Sequence, residues 1–378
     1  MSSPPGQPGD QPGDQPFRSG FACFVGRPNA GKSTLVNALV GSKVAITSAR
    51  PQTTRHAIRG VLTRPDAQLV LIDTPGLHRP RTLLGQRLND IVRATLAEVD
   101  VIGFCVPADE KVGPGDRYLA AELRRLSPRT PVVAMVTKAD LVGDRDALGA
   151  QLLAVAGLGD WAEVVPVSAV TGHQLGLLGD LLVARLPVGP LLYPEGQLTD
   201  EPETVLIAEF VREAALEGVR DELPHSLAVT VEEIVAREDV PAHAGEIRQG
   251  GQGGVGGQGG VGGQGGVSGQ GGVSGQGGVR GQGGVGGKGG VRGQGGVSGQ
   301  GGVSGQGGLL DVYVTVWIER PSQKAIVIGR GGQRLKEIGT TARRQIEALL
   351  GTRVYLDLHV KVAKDWQRNP KQLRRLGF

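Results

Sequence analysis

The chain has 378 residues, a formal net charge of +4 and two cysteines, and no stretch approaches the 18 uninterrupted apolar residues of a membrane helix. Its length predicts two domains with real cores, while the cysteine count excludes a disulfide scaffold or a cysteine-built zinc site. The charge is uneven: residues 309–378 carry 14 Lys+Arg against 6 Asp+Glu, and residues 203–248 carry 4 against 11. Contact with an anionic polymer is therefore expected in the last segment.

Residues 1–16, MSSPPGQPGDQPGDQP, contain no apolar segment and read as a disordered leader on a cytoplasmic protein. FACFVG (21–26) predicts a strand that runs directly into GRPNAGKS (26–33) and then into the helix-like TLVNALVG. Strand, glycine loop and helix in that order are the context of a phosphate-binding loop. The backbone of Gly26, Arg27, Pro28, Asn29, Ala30 and Gly31 would cradle phosphates, Lys32 would reach their β/γ oxygens, and Ser33 would ligate magnesium. Cys23 and Cys105 lie inside apolar runs and are expected as buried reduced thiols.

The apolar runs HAIRGVL, AQLVLID, VIGFCVPA, PVVAMVTKAD and EVVPVSAV alternate with helical patterns. This predicts a mostly parallel sheet with helices on both faces and a ligand beyond the carboxyl ends of the strands. At one such end stand Asp73, Thr74, Pro75 and Gly76. The Asp73 carboxylate would hold magnesium through water, and Gly76 leaves a backbone N–H for the γ-phosphate. In PQTTRHA, Thr53 or Thr54 would close over the metal, with Thr54 the candidate ligand. Leu77, which follows, is apolar and cannot orient an attacking water.

Thr137, Lys138, Ala139 and Asp140 end another run. Asp140 would accept from a guanine N1–H and amino group, a donor pair adenine lacks, and a buried carboxylate left without it is costly. Val167, Ser168 and Ala169 end the next run, where a backbone N–H would meet the guanine oxygen. GTP or GDP is therefore expected rather than ATP.

Residues 188–202 are Pro-rich and read as a linker, followed by an amphipathic helix in ETVLIAEFVREAAL and a strand in SLAVTVEEIVARE. From 249 to 308 the unit QGGV(G/S/R)G repeats. So much glycine makes ordering entropically expensive, which favours disorder over a hexad β-helix. LLDVYVTVWIER then resumes strand character as the hairpin partner of the earlier run. In IVIGRGGQRLKEIG (326–339) a β-like apolar run breaks into the loop Gly329-Arg330-Gly331-Gly332 and then a helix carrying Arg334 and Lys336. VYLDLHVKV alternates as a final strand.

With GRPNAGKS, QTTRH, DTPG, a Lys-x-Asp element, VSA and the terminal glycine loop in this order, the sequence resembles the Era GTPases over about residues 17–248 and 309–378. The resemblance implies an α/β Ras-like P-loop GTPase domain (17–187) with a mostly parallel sheet, then an α+β type II KH domain (203–378) interrupted by the repeat. It implies slow GTP hydrolysis with magnesium, with Lys32, Asn29, Thr54 and Gly76 catalytic and Asn29 a candidate ligand for potassium. It also implies a monomer that binds small-subunit ribosomal RNA near its 3′ end and assists maturation of the 30S subunit. Gly329, Arg330, Gly331, Gly332, Arg334 and Lys336 would grip RNA phosphates. One departure is Thr137, where many such GTPases carry asparagine. Two alternatives stand beside this reading: an RNA-binding scaffold with a weakened GTPase, and a signalling switch held by its basic end at the inner face of the membrane.

Overall fold

The computed structural model describes residues 16–48, 53–77, 82–217, 226–237 and 308–378. The readings of a disordered leader (1–16) and a disordered repeat (249–308) lie outside the described residues except for the last residue of each.

Six strands make the first sheet: β1 (Arg18–Gly26), β2 (Ile58–Thr63), β3 (Ala67–Asp73), β4 (Val101–Pro107), β5 (Val132–Thr137) and β6 (Glu163–Pro166). Their order is β2-β3-β1-β4-β5-β6, and only β2 runs antiparallel to its neighbour. Every residue of β3, β4 and β5 is buried, which explains why these strands read as continuous apolar runs. Helices α1 (Lys32–Val40) and α5 (Leu175–Val183) cover one face through Leu35, Val36, Leu178 and Leu182. Helices α2 (Leu83–Glu98), α3 (Pro114–Leu126) and α4 (Arg145–Ala156) cover the other through Val92, Leu96, Leu119, Leu123 and Val155.

The Pro-rich connection is anchored along this sheet. Buried Gln68 on β3 accepts from the N–H groups of Leu192 and Tyr193 at 2.7 and 2.8 Å, and donates to the Tyr193 carbonyl at 2.9 Å. Val61 of β2 donates to the Leu198 carbonyl at 2.8 Å.

The chain then forms α6 (Glu203–Leu216), β7 (Ala228–Arg237), β8 (Leu309–Ile318), α7 (Pro321–Ile328), α8 (Gln333–Leu350) and β9 (Arg353–Val362). The second sheet has the order β7-β8-β9, with β7 antiparallel and β9 parallel to β8. The expected hairpin partners do pair, from Ala228 opposite Trp317 to Arg237 opposite Leu309. On β8, Val312, Val314, Val316 and Ile318 pack with Ile207, Phe210 and Val211 of α6 and with Ile338, Ala342 and Ile346 of α8. Trp317 points to the opposite face and joins a cluster with Trp366, with Leu373 and Leu376 around α9 (Pro370–Arg375), and with Leu84 and Leu88 of α2. The second sheet thus packs its other face against α2 of the first module.

One local expectation is corrected. Residues 326–328, read as β-like, form the last turn of α7. Pro321 opens that helix, and the Gln323 side chain accepts from the Glu319 and Arg320 N–H groups at 3.0 and 2.9 Å. A three-residue apolar run carries no period that could separate strand from helix.

Candidate functional site

The end of β1 turns directly into α1. Gly26 leaves no room for a side chain, since a Cβ there would lie 2.6 Å from the Cys105 carbonyl. Asn29 takes φ 63° and Gly31 φ 86°, so the loop curls back on itself. Lys32 lies across that curl, donating to the Gly26 and Arg27 carbonyls at 3.2 and 3.0 Å, and burial holds its pKa below the ordinary value. Arg27 turns away from the cleft to buried Asp116 (2.7 Å) and Glu110 (3.1 Å), fastening the loop to the start of α3.

Three oxygens converge beside the loop. Ser33 donates to Asp73 Oδ2 at 2.7 Å, Thr54 donates to the same atom at 3.0 Å, and the two hydroxyls stand 3.1 Å apart. Thr54 is therefore the threonine at this position, not Thr53. Burial raises the pKa of Asp73 while the Ser33 hydrogen bond and the Lys32 charge oppose that rise. Asp73 Oδ1 is buried and has no hydrogen-bond partner. An orphaned carboxylate oxygen among hydroxyls is a hard-oxygen set that suits magnesium, completed by phosphate and water. No group of three or more His, Cys, Asp or Glu side chains fit to hold a metal occurs among the described residues.

These groups open into a cleft of about 610 Å³ lined by Asn29, Lys32, Ser33, Thr54, Gly76 and Asp140, among others. At its far end Lys138 takes φ 57° and starts a 3-10 turn that presents Asp140. Ser168 donates to Asp140 Oδ1 at 2.5 Å and fixes the carboxylate. Asp140 is exposed at the rim rather than buried, so base selection by an unpaired buried carboxylate arises only once a base covers it. The Val167 and Ser168 N–H groups are bound to Val136 and His173, and Ala169 lines the cleft. The Thr137 hydroxyl donates a hydrogen bond to the Ala30 carbonyl at 2.7 Å and so ties β5 to the phosphate loop. Thr74 braces the end of β3 through the Phe24 carbonyl, at 2.8 Å, and Leu77 is buried in the core.

The glycine loop of the second sheet stands apart from this cleft. Gly329, Gly331 and Gly332 have φ of 73°, 59° and 79°. A Cβ on Gly329 would meet the Arg334 backbone nitrogen at 3.0 Å, whereas one on Gly331 would meet nothing within 4 Å. Arg330 and Lys336 are exposed. Arg334 is half-buried and donates to the Glu217 carbonyl at 2.6 Å, which ties α8 to the end of α6.

Sequence reasoning missed the residues that join the two modules. Arg55, fully buried, donates to the Leu227 carbonyl at 2.6 Å and faces the Trp366 and Phe378 rings, and its pKa is depressed to about 9 by burial and by Arg212. His56 stacks on Phe378 at 5.3 Å. These partners are separated by up to hundreds of residues, and no local pattern announces them.

A glycine-rich loop opening a helix, a magnesium-suited oxygen set and an exposed Asp at the rim of the cleft, all at the ends of a mostly parallel sheet, define a Ras-like P-loop GTPase, here continued by a type II KH fold. The 50S ribosome-binding GTPase family matches residues 21–138 and the KH domain family matches residues 307–367. The chain is 57% identical over 366 residues to GTPase Era of Streptomyces coelicolor, covering 96% of this chain and 95% of that one. It is 54% identical over 363 residues to GTPase Era of Mycolicibacterium smegmatis, covering 96% and 99%. A crystal structure of an Aquifex aeolicus Era variant bound to GDP and aluminium fluoride matches with a TM-score of 0.75 at 31% identity, covering 96% of this chain and 99% of that one. Era in complex with MgGDPNP and nucleotides 1506–1542 of 16S ribosomal RNA matches with the same values. The chain belongs to the Era GTPase family and hydrolyses GTP.

Proposed function

We propose that this protein is a GTP-controlled RNA-binding factor that takes the 3′ region of small-subunit ribosomal RNA into its second module and assists maturation of that subunit. The observation that carries the reading is Arg55, which follows Thr54 directly and is buried against Trp366 and Phe378 of the second module. Movement at the phosphate side of the cleft is therefore felt by the RNA-facing module. The complex of a 31%-identical Era with MgGDPNP and 16S ribosomal RNA supports the choice of RNA.

On the nucleotide side, the loop from Gly26 to Gly31 would cradle the phosphates, Lys32 would swing from its carbonyl contacts to the β/γ oxygens, and Gly76 would donate to the γ-phosphate. Ser33, Thr54 and, through water, Asp73 would hold magnesium, which when bound neutralises charge on the phosphate oxygens. Leu77 is committed to the core, so other groups must orient the attacking water and slow basal turnover follows. Asn29, on the loop and lining the cleft, is the candidate ligand for potassium. Thr137 preserves the tie to Ala30, which argues against a loosened nucleotide site and a passive scaffold. On the RNA side, Gly331 and Gly332 leave the backbone open to close phosphate approach while Arg330 and Lys336 add charge. Arg334 contributes by holding the loop against α6.

We infer a monomer acting in the cytoplasm. Among the described residues no helix is long and apolar enough to cross a membrane. Peripheral contact with a membrane would rest on the basic C-terminal segment alone.

The test is GTP hydrolysis by the full chain with and without a short single strand matching the 3′ end of the small-subunit RNA. Stimulation supports the switch. Tight binding with no change in turnover would replace it with a scaffold.

A further inference from the structure

Helix α6 belongs to the second module, yet it grips the nucleotide-sensing segment on both sides of residues 49–52. Before them, Glu213 accepts from the Thr47 N–H at 2.8 Å and from its hydroxyl at 3.3 Å, and pairs with Lys43. After them, Arg212 donates to the carbonyl of Thr53, the residue whose peptide carries Thr54 into the Ser33–Asp73 oxygen set. Arg212 is 2% exposed and is held by Glu209, 4% exposed, with Nε to Oε1 at 2.9 Å. A guanidinium with two neighbouring donors anchored on one carboxylate has little freedom left. Burial would raise the pKa of Glu209, but Arg212 holds it below the ordinary value, consistent with a charged pair.

We infer that Arg212 is a positioning residue for GTP hydrolysis: by fixing the Thr53 carbonyl it sets the Thr54 hydroxyl among the magnesium-facing oxygens, so the second module completes the catalytic site. The inference rests on Thr54 as a metal-facing group. A displaced backbone carbonyl moves the following side chain by the order of an ångström, and such misplacement costs about ten- to a hundredfold in rate. Asp140 and its Ser168 support lie at the other end of the cleft and are untouched by Arg212, so nucleotide diphosphate recognition is expected to stand.

The experiment compares wild-type full chain with Arg212→Met, Arg212→Lys and Thr54→Ala. It measures the magnesium dependence of hydrolysis, kcat and KM for GTP, affinity for a fluorescent GDP, and hydrogen exchange of residues 53–58 with magnesium and a non-hydrolysable GTP analogue. Arg212→Met is expected to raise the magnesium requirement, lower kcat about tenfold or more, remove exchange protection at 53–58, and leave GDP affinity unchanged. Arg212→Lys, which keeps the charge but only one donor nitrogen, should fall between. If Thr54→Ala shows the magnesium defect while folded Arg212→Met retains wild-type magnesium dependence and protection, the inference fails and the metal role of Thr54 stands. If Thr54→Ala is itself indistinguishable from wild type, both fail. Should Arg212→Met not fold, Glu209→Gln takes its place: a smaller shift in the same direction supports the inference, and wild-type behaviour overturns it.

Discussion

Replacing Arg330 and Gly331 together by aspartate tests the RNA grip at a point where the structure has room for a side chain. A side chain at Gly331 meets nothing within 4 Å, and aspartate accepts its φ of 59° at a cost of roughly 1 kcal/mol. Gly329 would be a poor choice, because its Cβ would press into Arg334. Losing the Arg330 charge removes about one phosphate contact, and two new carboxylates offset about two more. Single-strand affinity varies with salt with a slope of about −0.7 per neutralised phosphate, so the slope should flatten by about 0.7 to 2. Each lost contact is about fivefold between 1 M and 0.1 M salt, which places the double variant on the order of 100-fold weaker at 0.1 M. Anisotropy of a labelled RNA strand across a salt series reads both quantities. GTP hydrolysis without RNA should remain at the wild-type level, since neither residue lines the nucleotide cleft. A folded double variant with unchanged slope and affinity would reduce the loop to a turn and move the basic charge elsewhere.

Asp140→Asn exchanges two charge-assisted acceptances, each about 1.5 kcal/mol or more, for one acceptor and one donor. GTP binding should fall by at least about 100-fold and xanthosine triphosphate binding should rise, measured by competition against a fluorescent nucleotide; an unchanged order of preference would refute base reading there. His56 is held below its ordinary pKa by burial, with Arg212 and Arg55 adding to the effect and Glu209 opposing it. The unfolded chain therefore takes up a proton that the folded chain resists, so stability should decline as pH falls through about 6.5. Urea midpoints at pH 7.5 and 5.5 should differ less in His56→Asn than in wild type, and an identical difference would remove His56 as the cause. If Asn29 holds potassium, exchanging potassium for sodium at constant ionic strength should slow hydrolysis, and Asn29→Ala should erase the contrast. Equal wild-type rates in the two salts would end that role.

The lining of the cleft was legible in the sequence because the elements that build it are local. A strand end, a glycine turn and a lysine must be contiguous to wrap a phosphate, and Asp73 and Asp140 announce themselves as the polar residues that close apolar runs. The preference for Thr54 over Thr53 gains its physical reason only in three dimensions, where the Thr54 hydroxyl faces Asp73. The loop motif speaks for the backbone of Arg27 and says nothing of its side chain, whose partners are Asp116 and Glu110. Arg55, Arg212 and Gln68 were invisible for a different reason. Each donates to a backbone carbonyl far away in the chain, and neither period nor composition encodes which distant carbonyl a guanidinium or amide will meet.

Arg237 and Leu309 sit opposite each other on β7 and β8, so the chain leaves and re-enters the second sheet through one doorway. The distance to be closed there is fixed by the strand pairing and does not depend on how much sequence intervenes. Closure cost rises by only about 0.6 kcal/mol for each doubling of loop length. For a flexible tract, length at this doorway is thus nearly neutral for folding. The same property makes it a natural port for an inserted reporter or affinity module, with both sheets and the nucleotide cleft left as they stand.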